Sequence, residues 1–513
     1  MSHTSRWSQF LVPSTLFILS LWLRLSLISK GPFNVDCLNL ALKSEQFLET
    51  FQLPFLYGTG YPLTIIMGSL FVGGTKLFGA TDPVFGVNLM SVVFGSLSVP
   101  VFYLLVKNIL NPKAGLISAS LLSLAPLFLG ISTYGMSHTL SVFLLLSSIY
   151  YLFRFQSVQH KHLMIASAIL LGFCGAVRLQ DMTFMIIAFS YLLITQLQKT
   201  SFTVKQAVTL FISFWVVCFF ACALFYSPYF LGQSKEEYIR QLIEYRQVSL
   251  AGSAKGAFQY IFSFLIKYWL AILTPGGVLL SIIGTLLLLK NNRQIFWFCL
   301  LWFLIPLLFL GHAFTLAPRF LNFILPAPLI GIGYYFSFSR WRTLVLANYI
   351  VYFTLIGFWS YSILPALIFR NNNTVLPDLA RWIAENTEEN SKIICVDNCL
   401  FIQYYGHRET LGIVPVYSKR LVDKESEKYF QEMAEFDVKL NEYKTMLDSY
   451  LDKNVPLYIT TSALTSYDEN FKFSNFMGKN FSLEWLGKHP YESWQHNLQE
   501  ISLLNDHLYR LKK

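Results

Sequence analysis

Asp36 follows the first long apolar stretch of the chain within a few residues, in a sequence that otherwise keeps charge out of its hydrophobic segments. A carboxylate at the mouth of a helix bundle is where a membrane enzyme would place a general base. Its surroundings, Gly31-Pro32-Phe33-Asn34-Val35-Asp36-Cys37-Leu38-Asn39, break one helix and open an amphipathic second one. An Asp near a helix N-terminus also satisfies unpaired amides and the helix dipole, so Asp36 is readable as a cap as well, with Asn34 competing for that role.

Further ionisable residues mark the ends of apolar stretches. Arg178 and Asp181, in Ala176-Val177-Arg178-Leu179-Gln180-Asp181, occupy a very tight turn between two of them. They read either as a salt bridge across the turn or as an arginine aimed at a phosphate and oriented by the carboxylate. Arg319 follows the short loop 312–318 and opens the run Phe320–Phe338, where an anion should meet it: a lipid headgroup, or the phosphate of a lipid-linked substrate. His138, in Tyr134-Gly135-Met136-Ser137-His138-Thr139, could bind substrate, coordinate a metal or face the interface. One His without a matching cluster is thin support for a metal. Lys76 is placed to snorkel to headgroups or to reach a phosphate. Ionisable groups at membrane depth cost about 2.5–3.5 kcal/mol each on insertion scales, so such residues line cavities or pair with one another.

What must position these groups is a membrane bundle. Of 513 residues, 54% are hydrophobic and 17% aromatic, with a mean hydropathy of +0.48, which excludes a soluble globule. Apolar runs of the roughly 20 residues a span needs recur from Leu11 to Leu367, whereas Asn371–Lys513 is charged and mixed. The chain is therefore expected to divide into a membrane domain, 1–370, and a small soluble α/β domain, 371–513. The first run, Leu11–Ile28, carries Arg24 and lacks a small-residue cleavage site before Pro32, so it reads as a retained span with a cytoplasmic N-terminus. The net charge of +10 is gathered in short clusters between apolar runs, a topology signal rather than a nucleic-acid surface. Seven cysteines, four of them in apolar runs (Cys174, Cys218, Cys222, Cys299), make no zinc or disulfide framework. Cys395 and Cys399 read as too far apart along one extended strand to pair.

The basic clusters Lys107 with Lys113, Arg154 with Lys161, Lys199 with Lys205, Lys290 with Arg293 and Arg340 with Arg342 belong on the cytoplasmic side. That leaves eleven spans: about 11–29, 84–106, 114–131, 139–153, 163–177, 182–198, 207–226, 277–289, 295–311, 320–338 and 343–367. Tyr61–Phe78 and Phe258–Leu273 break the parity if they cross, and are expected to lie at the outer surface as juxtamembrane or re-entrant helices. An odd number of spans then puts Asp36, His138, Arg178, Asp181, the loop 227–256, Arg319 and the tail on one face.

This order of parts resembles the GT-C superfamily of polytopic glycosyltransferases, in particular the bacterial family 39 type related to protein O-mannosyltransferases and the aminoarabinose transferases of lipid A. The matching pieces are Arg24 in the first span, Asp36 in a long first outer loop, and Gly60-Tyr61-Pro62-Leu63 at the start of the second juxtamembrane helix. Ser137-His138-Thr139-Leu140, Arg178 with Asp181, and Pro318-Arg319-Phe320 continue the likeness, which runs loosely over residues 10–370. Their order and topological side carry it rather than any one motif.

The resemblance implies an all-α bundle that moves a sugar from a polyprenyl-phosphate donor, its tail in the membrane lipid, to a glycan, lipid or protein acceptor at the outer face of a cell membrane. It implies that Asp36 takes the acceptor proton while Arg178, Arg319 and Lys76 stabilise the departing phosphate, with His138, Asp181 and Arg24 among the substrate-binding residues. Single in-line displacement would invert the anomeric carbon. Cys37 stands where an Asp-Glu pair is common in the family, so no metal ligands are assigned and a divalent metal is left as an option.

In the tail, Leu379–Asn386 and Glu425–Leu451 read as helices, and Lys392–Cys399 and Pro456–Thr461 as buried strands, in a domain that would bind acceptor or a partner, or simply cap the bundle. The rival reading is a transporter, flippase or polymerase of lipid-linked glycans. A transporter predicts inverted repeats and midplane charge, whereas here charge gathers near one face beside a soluble domain. The tail lacks the Trp-Trp-Asp signature of an oligosaccharyltransferase.

Overall fold

The computed structural model describes residues 4–56, 59–199, 202–231, 235–236, 238–240, 268–310, 318–338, 342–372, 374–396, 398–414, 427–465, 471–489, 494–496, 501–503 and 506–513. Up to residue 372 the described chain is almost wholly helical. Its elements are α1 (Thr4–Ser26), α2 (Val35–Thr50), α3 (Pro62–Leu77), α4 (Pro83–Ile109), α5 (Pro112–Leu124), α6 (Pro126–Ile131) and α7 (His138–Val158). They continue with α8 (Lys161–Val177), α9 (Leu179–Leu197), α10 (Val204–Leu231), α11 (Leu270–Asn291), α12 (Arg293–Leu310), a 3-10 turn (Pro318–Leu321), α13 (Pro326–Phe338) and α14 (Arg342–Asn372).

Ten of the eleven expected spans overlie helices, with 114–131 divided between α5 and α6, whereas 320–338 starts in the 3-10 turn and becomes α-helical only from Pro326. Six described helices are long and apolar enough to cross a membrane, and four shorter apolar helices accompany them. Tyr61–Phe78 contains α3, with Tyr61 and Phe78 as its cap residues. Of Phe258–Leu273, residues 258–267 lie outside the described residues and the remainder leads into α11.

Local chemistry sets the boundaries. Asp82 Oδ1 accepts the Val84 amide at 2.9 Å and Asn111 Oδ1 accepts the Ala114 amide at 2.8 Å. Pro83 and Pro112 follow these caps at the first helical position, where a missing N–H costs nothing. Pro126 divides α5 from α6.

Small residues then let the helices close. A Cβ on Gly331 would lie 2.9 Å from the Ser281 carbonyl oxygen, so α11 and α13 meet backbone to backbone, as membrane helices with small interfacial residues do. Outward, α10 exposes Val208, Ile212, Val216, Phe219, Phe220 and Leu224, an apolar face suited to lipid.

The tail contains α15 (Val375–Glu385), β1 (Lys392–Ile394), α16 (Cys399–Gly406), β2 (Glu409–Leu411), α17 (Glu427–Asp452), β3 (Leu457–Thr460), α18 (Thr461–Thr465), α19 (Lys472–Asn480), β4 (Ser482–Lys488), β5 (Trp494–His496), β6 (Ile501–Leu503) and β7 (His507–Lys512). Five strands form a mixed sheet in the order β2-β1-β3-β7-β4, with β1 parallel to β2 and β3, and β7 antiparallel to β3 and β4. Strand β3, a continuous Leu-Tyr-Ile-Thr run, is buried along its whole length, as the central strand of such a sheet should be. Leu457 and Ile459 pack with Phe436, Leu440 and Leu447 of α17 and with Phe473 and Met477 of α19.

One expectation fails here. The strand that begins at Lys392 ends at Ile394 rather than running to Cys399, and Cys395 and Cys399 form a disulfide with their Cα atoms 5.5 Å apart. Four fully extended residues would have separated them by about 13 Å. The chain instead turns out of the sheet and Cys399 opens α16.

Helix α16 returns the tail to the bundle. Its Tyr405 Oη donates to Asp82 Oδ2 at 2.8 Å, on the carboxylate whose other oxygen caps α4. Burial, reinforced by Asp82, raises the pKa of the Tyr405 phenol, so it stays a donor.

Candidate functional site

Between α1 and α2 the chain turns through Gly31-Pro32, and Asn34 Oδ1 accepts the Cys37 amide at 2.9 Å. Asn34 is therefore the cap of α2, and Asp36 is in its first turn. The Asp36 side chain meets Arg319 instead: Oδ2 accepts from Nη2 at 2.9 Å. Arg319 projects from the 3-10 turn, which Asn322 Nδ2 braces by donating to the Arg319 carbonyl at 2.9 Å. Both members of this pair stay accessible, with 24% of the Asp36 side chain and 22% of the Arg319 side chain exposed.

A second acid–arginine pair lies nearby and is more deeply buried. Arg178 alone joins α8 to α9, and its Nε donates to Asp181 Oδ2 at 3.0 Å, the salt bridge anticipated across the turn. These side chains are sealed, at 3% and 2% exposure. Ser141 Oγ donates to the same Asp181 oxygen at 2.6 Å. Arg178 Nη1 stands 2.9 Å from His138 Nε2 and 3.4 Å from Ser137 Oγ. A guanidinium only donates, so His138 Nε2 is the acceptor and the neutral ring carries its proton on Nδ1. That Nδ1 is buried, and the described residues offer it no partner.

Phe320 connects the two pairs. Its ring centre is 5.2 Å from Arg178 Cζ and 5.7 Å from Arg319 Cζ, and its ring lies 5.8 Å from that of His138. Tyr61 flanks the other side of Arg178, 5.8 Å from Cζ, and its hydroxyl accepts from Gln180 Nε2 at 3.0 Å. The site is thus an open carboxylate–guanidinium pair, joined through the Phe320 ring to a buried ion pair and its neutral histidine.

Similar structures have been solved. The archaeal oligosaccharyltransferase AglB from Archaeoglobus fulgidus, in complex with an inhibitory peptide and a dolichol-phosphate, matches at TM-score 0.52 and 12% identity, covering 92% of this chain and 72% of its own. ArnT from Cupriavidus metallidurans, bound to undecaprenyl phosphate, matches at TM-score 0.51 and 11% identity over 98% of this chain and 97% of its own. The mycobacterial arabinofuranosyltransferase AftD matches at 0.52 and 12% over 98% of this chain and 40% of its own. The chain has the GT-C fold. Residues 65–226, about a third of the chain, also match the family described as dolichyl-phosphate-mannose-protein mannosyltransferase. No curated protein sequence is a significant match.

Within this GT-C frame, Asp36, Arg319, Arg178, Asp181 and His138 come together, and two other expected site residues lie apart. Lys76 Nζ is 2.5 Å from Glu45 Oε1 and 3.9 Å from Glu49 Oε1, pinning α3 to the far half of α2. Glu45 is about 13 Å of helix beyond Asp36. Arg24 is fully buried, with Nη1 donating to Ser20 Oγ at 2.6 Å, Nη2 donating to the Ser123 carbonyl at 3.3 Å, and the Phe128 ring 5.4 Å from Cζ. Its contacts fasten α1 to α5 and α6. Phe320, Tyr61, Gln180 and Ser141 had no role from sequence. Among the described residues no group of three His, Cys, Asp or Glu is placed to hold a metal.

Proposed function

We propose that the chain is a membrane glycosyltransferase that moves a sugar from a polyprenyl-phosphate donor to an acceptor hydroxyl at the outer face of a cell membrane, with Asp36 as general base. The observation that carries this reading is the contrast between the two acid–arginine pairs flanking Phe320: Asp36–Arg319 is accessible and Arg178–Asp181 is sealed. An accessible carboxylate can take a proton from a hydroxyl, and the guanidinium beside it can turn to a phosphate.

In this mechanism the incoming donor phosphate competes with Asp36 for Arg319, which releases the carboxylate to accept the acceptor proton. The acceptor oxygen bonds to the anomeric carbon opposite the phosphate. The carbon–oxygen bond to the phosphate breaks with its electrons on oxygen, and the polyprenyl phosphate departs against Arg319 with inversion at carbon. Arg178, neutralised by Asp181 and donating to His138, holds its guanidinium against Phe320 and so fixes the ring beside Arg319. Lys76 and Arg24 act by holding the bundle.

Two of the similar structures hold a polyprenyl phosphate, which supports this donor class. An apolar cavity of about 520 Å³ between α11, α12 and α13, reaching Trp269, Phe303 and Ala327, suits part of an isoprenoid chain. In the same reading residues 1–370 are the catalytic domain and the N-terminus is cytoplasmic. Residues 371–513 then lie over the site on the outer side and contribute to acceptor choice.

The test is transfer of radiolabelled sugar from a panel of polyprenyl-phosphate donors by purified protein in lipid. Transfer by the wild type and its loss in Asp36→Asn, with donor binding intact, is the expected result. Movement of lipid-linked sugar across vesicles without transfer would replace this reading with a transporter.

A further inference from the structure

Asp36 and His138 belong to chain segments, 29–37 and 133–138, that run against each other beneath the site. Between them stands Asn88, on α4 and fully buried. Its Oδ1 accepts the Gly135 amide at 2.7 Å and the Cys37 thiol at 3.3 Å, and its Nδ2 donates to the Ser29 carbonyl at 3.0 Å and the Gly31 carbonyl at 3.5 Å. Both acceptor and both donor positions of the amide are used, and the partners fix which end is oxygen, since two carbonyls can only accept. On the same face of α4, Ser91 Oγ accepts the Met136 amide at 2.9 Å and donates to the Met136 carbonyl at 3.1 Å.

The steric fit is equally specific. A Cβ on Gly135 would lie 2.9 Å from Val87 Cβ and 3.1 Å from Cys37 Sγ, so only glycine lets the His138 segment approach the residue next to Asp36. Arg370, at the end of α14, clamps the same segments a second time. Its Cζ is 4.0 Å from the Phe33 ring centre and 4.6 Å from that of Tyr134, and Nη1 donates to the Gly130 carbonyl at 2.7 Å.

We infer that Asn88 is a positioning residue: it fixes the spacing between the open pair Asp36–Arg319 and the buried pair Arg178–Asp181 with His138, without touching substrate. The inference rests on the function proposed above for that site. One amide joins the neighbour of the base to the segment carrying the partner of Arg178, and an apolar residue in its place would take a partner from the Gly135 amide, the Cys37 thiol and the Ser29 carbonyl, while the Gly31 carbonyl keeps the Ser29 hydroxyl. A residue that merely satisfies buried carbonyls would alter stability and leave the site geometry intact.

The experiment compares wild type, Asn88→Leu and Gly135→Ala in lipid. Spin labels on Val35→Cys and Thr183→Cys, both exposed, report the separation of the two halves by pulsed dipolar spectroscopy, alongside kcat, donor KM and thermal unfolding. Broadening of the label distance in both variants is expected, with kcat reduced by about 100-fold, the scale of a misplacement of about 1 Å, and donor KM unchanged. A wild-type distance distribution, or a wild-type kcat, in a folded variant would overturn the inference. Should Asn88→Leu fail to fold, Gly135→Ala, which keeps every hydrogen-bonding group, decides alone. If the wild type transfers no sugar, the functional reading fails, and the label distance still shows whether Asn88 sets the spacing.

Discussion

Asn34 accepts the Cys37 amide at 2.9 Å and so takes the capping role for which it competed, in sequence, with Asp36 two residues further on. With the helix end already satisfied, the Asp36 carboxylate is turned to Arg319. The two residues should therefore separate cleanly in mutagenesis. Asn34→Ala is expected to cost about 0.5–2 kcal/mol of stability, as loss of a cap does. Asp36→Asn is expected to unfold near the wild-type temperature while losing about 10²–10⁴-fold in kcat, the usual share of a general base. Thermal unfolding and turnover measured on the same preparations check both, and a large loss of stability in Asp36→Asn would return it to a structural role.

The two arginines should diverge in the opposite sense. Removing Arg178 strands a sealed Asp181, and breaking a buried pair from one side costs about 3–5 kcal/mol. Arg319 and Asp36 are each about a quarter exposed, so water screens their pair as it cannot screen the sealed one, and breaking it is expected to cost less. Arg319→Ala is thus expected to fold normally and to lose turnover. Arg178→Ala is expected to lower the unfolding temperature markedly, and Arg178→Ala with Asp181→Ala to recover part of it. Full turnover by Arg319→Ala would remove it from the phosphate clamp.

The helices were legible because apolar runs of span length, punctuated by Pro, Gly and Asn, leave little else for the chain to do. The site was legible in its charges, since a charge at the end of an apolar run needs a reason. Its aromatic contacts were not: Phe320 and Tyr61 stood in the sequence only as members of the motifs Pro318-Arg319-Phe320 and Gly60-Tyr61-Pro62-Leu63, and among 47 Phe and 28 Tyr nothing said that they would meet Arg178. Asn88 and Arg370 could have been found by applying the charge rule to a polar amide within α4 and to an arginine ending α14. The Cys395–Cys399 bridge could not, because the end of β1 is set by the three-residue ladders it makes with β2 and β3, partners distant in sequence.

The tail carries its own pH dependence. Tyr458 Oη donates to Glu388 Oε2, and Arg510 Nη2 lies 3.3 Å from Oε1. The phenol hydrogen bond, and then the arginine charge, hold the Glu388 carboxyl below its usual range, while burial and then Glu388 push the Tyr458 phenol up to about 12. A lowered carboxyl stabilises the fold above the unfolded value, about 4.3, and that contribution is lost as pH falls through the folded one. A raised phenol stabilises it below about 10, and that contribution is lost as pH rises toward the folded value. Glu388→Gln is expected to flatten the acid limb and reduce the alkaline one, measured as the urea midpoint of the tail in the full-length protein across pH. Unchanged slopes would mean that the pair does not couple to folding.

The disulfide offers a test of orientation that needs no substrate. Cys395 and Cys399 are bonded in a tail that our reading places on the outer side, where disulfides persist, whereas a cytoplasmic tail would meet reducing thiols. Protein alkylated in intact cells before lysis should therefore show these two cysteines unmodified until a reductant is added. The five remaining cysteines are buried thiols and should label only after denaturation, with or without reductant. Closing so short a loop is worth about 2 kcal/mol in the chain-entropy account, so Cys395→Ser should leave the tail folded but easier to unfold. Because Cys399 opens α16, that variant should also loosen the Tyr405–Asp82 contact and raise amide exchange in α16 ahead of the strands. Direct alkylation of Cys395 and Cys399 in untreated cells would instead put the tail on the reducing side, and with it the proposed location of the site would fall.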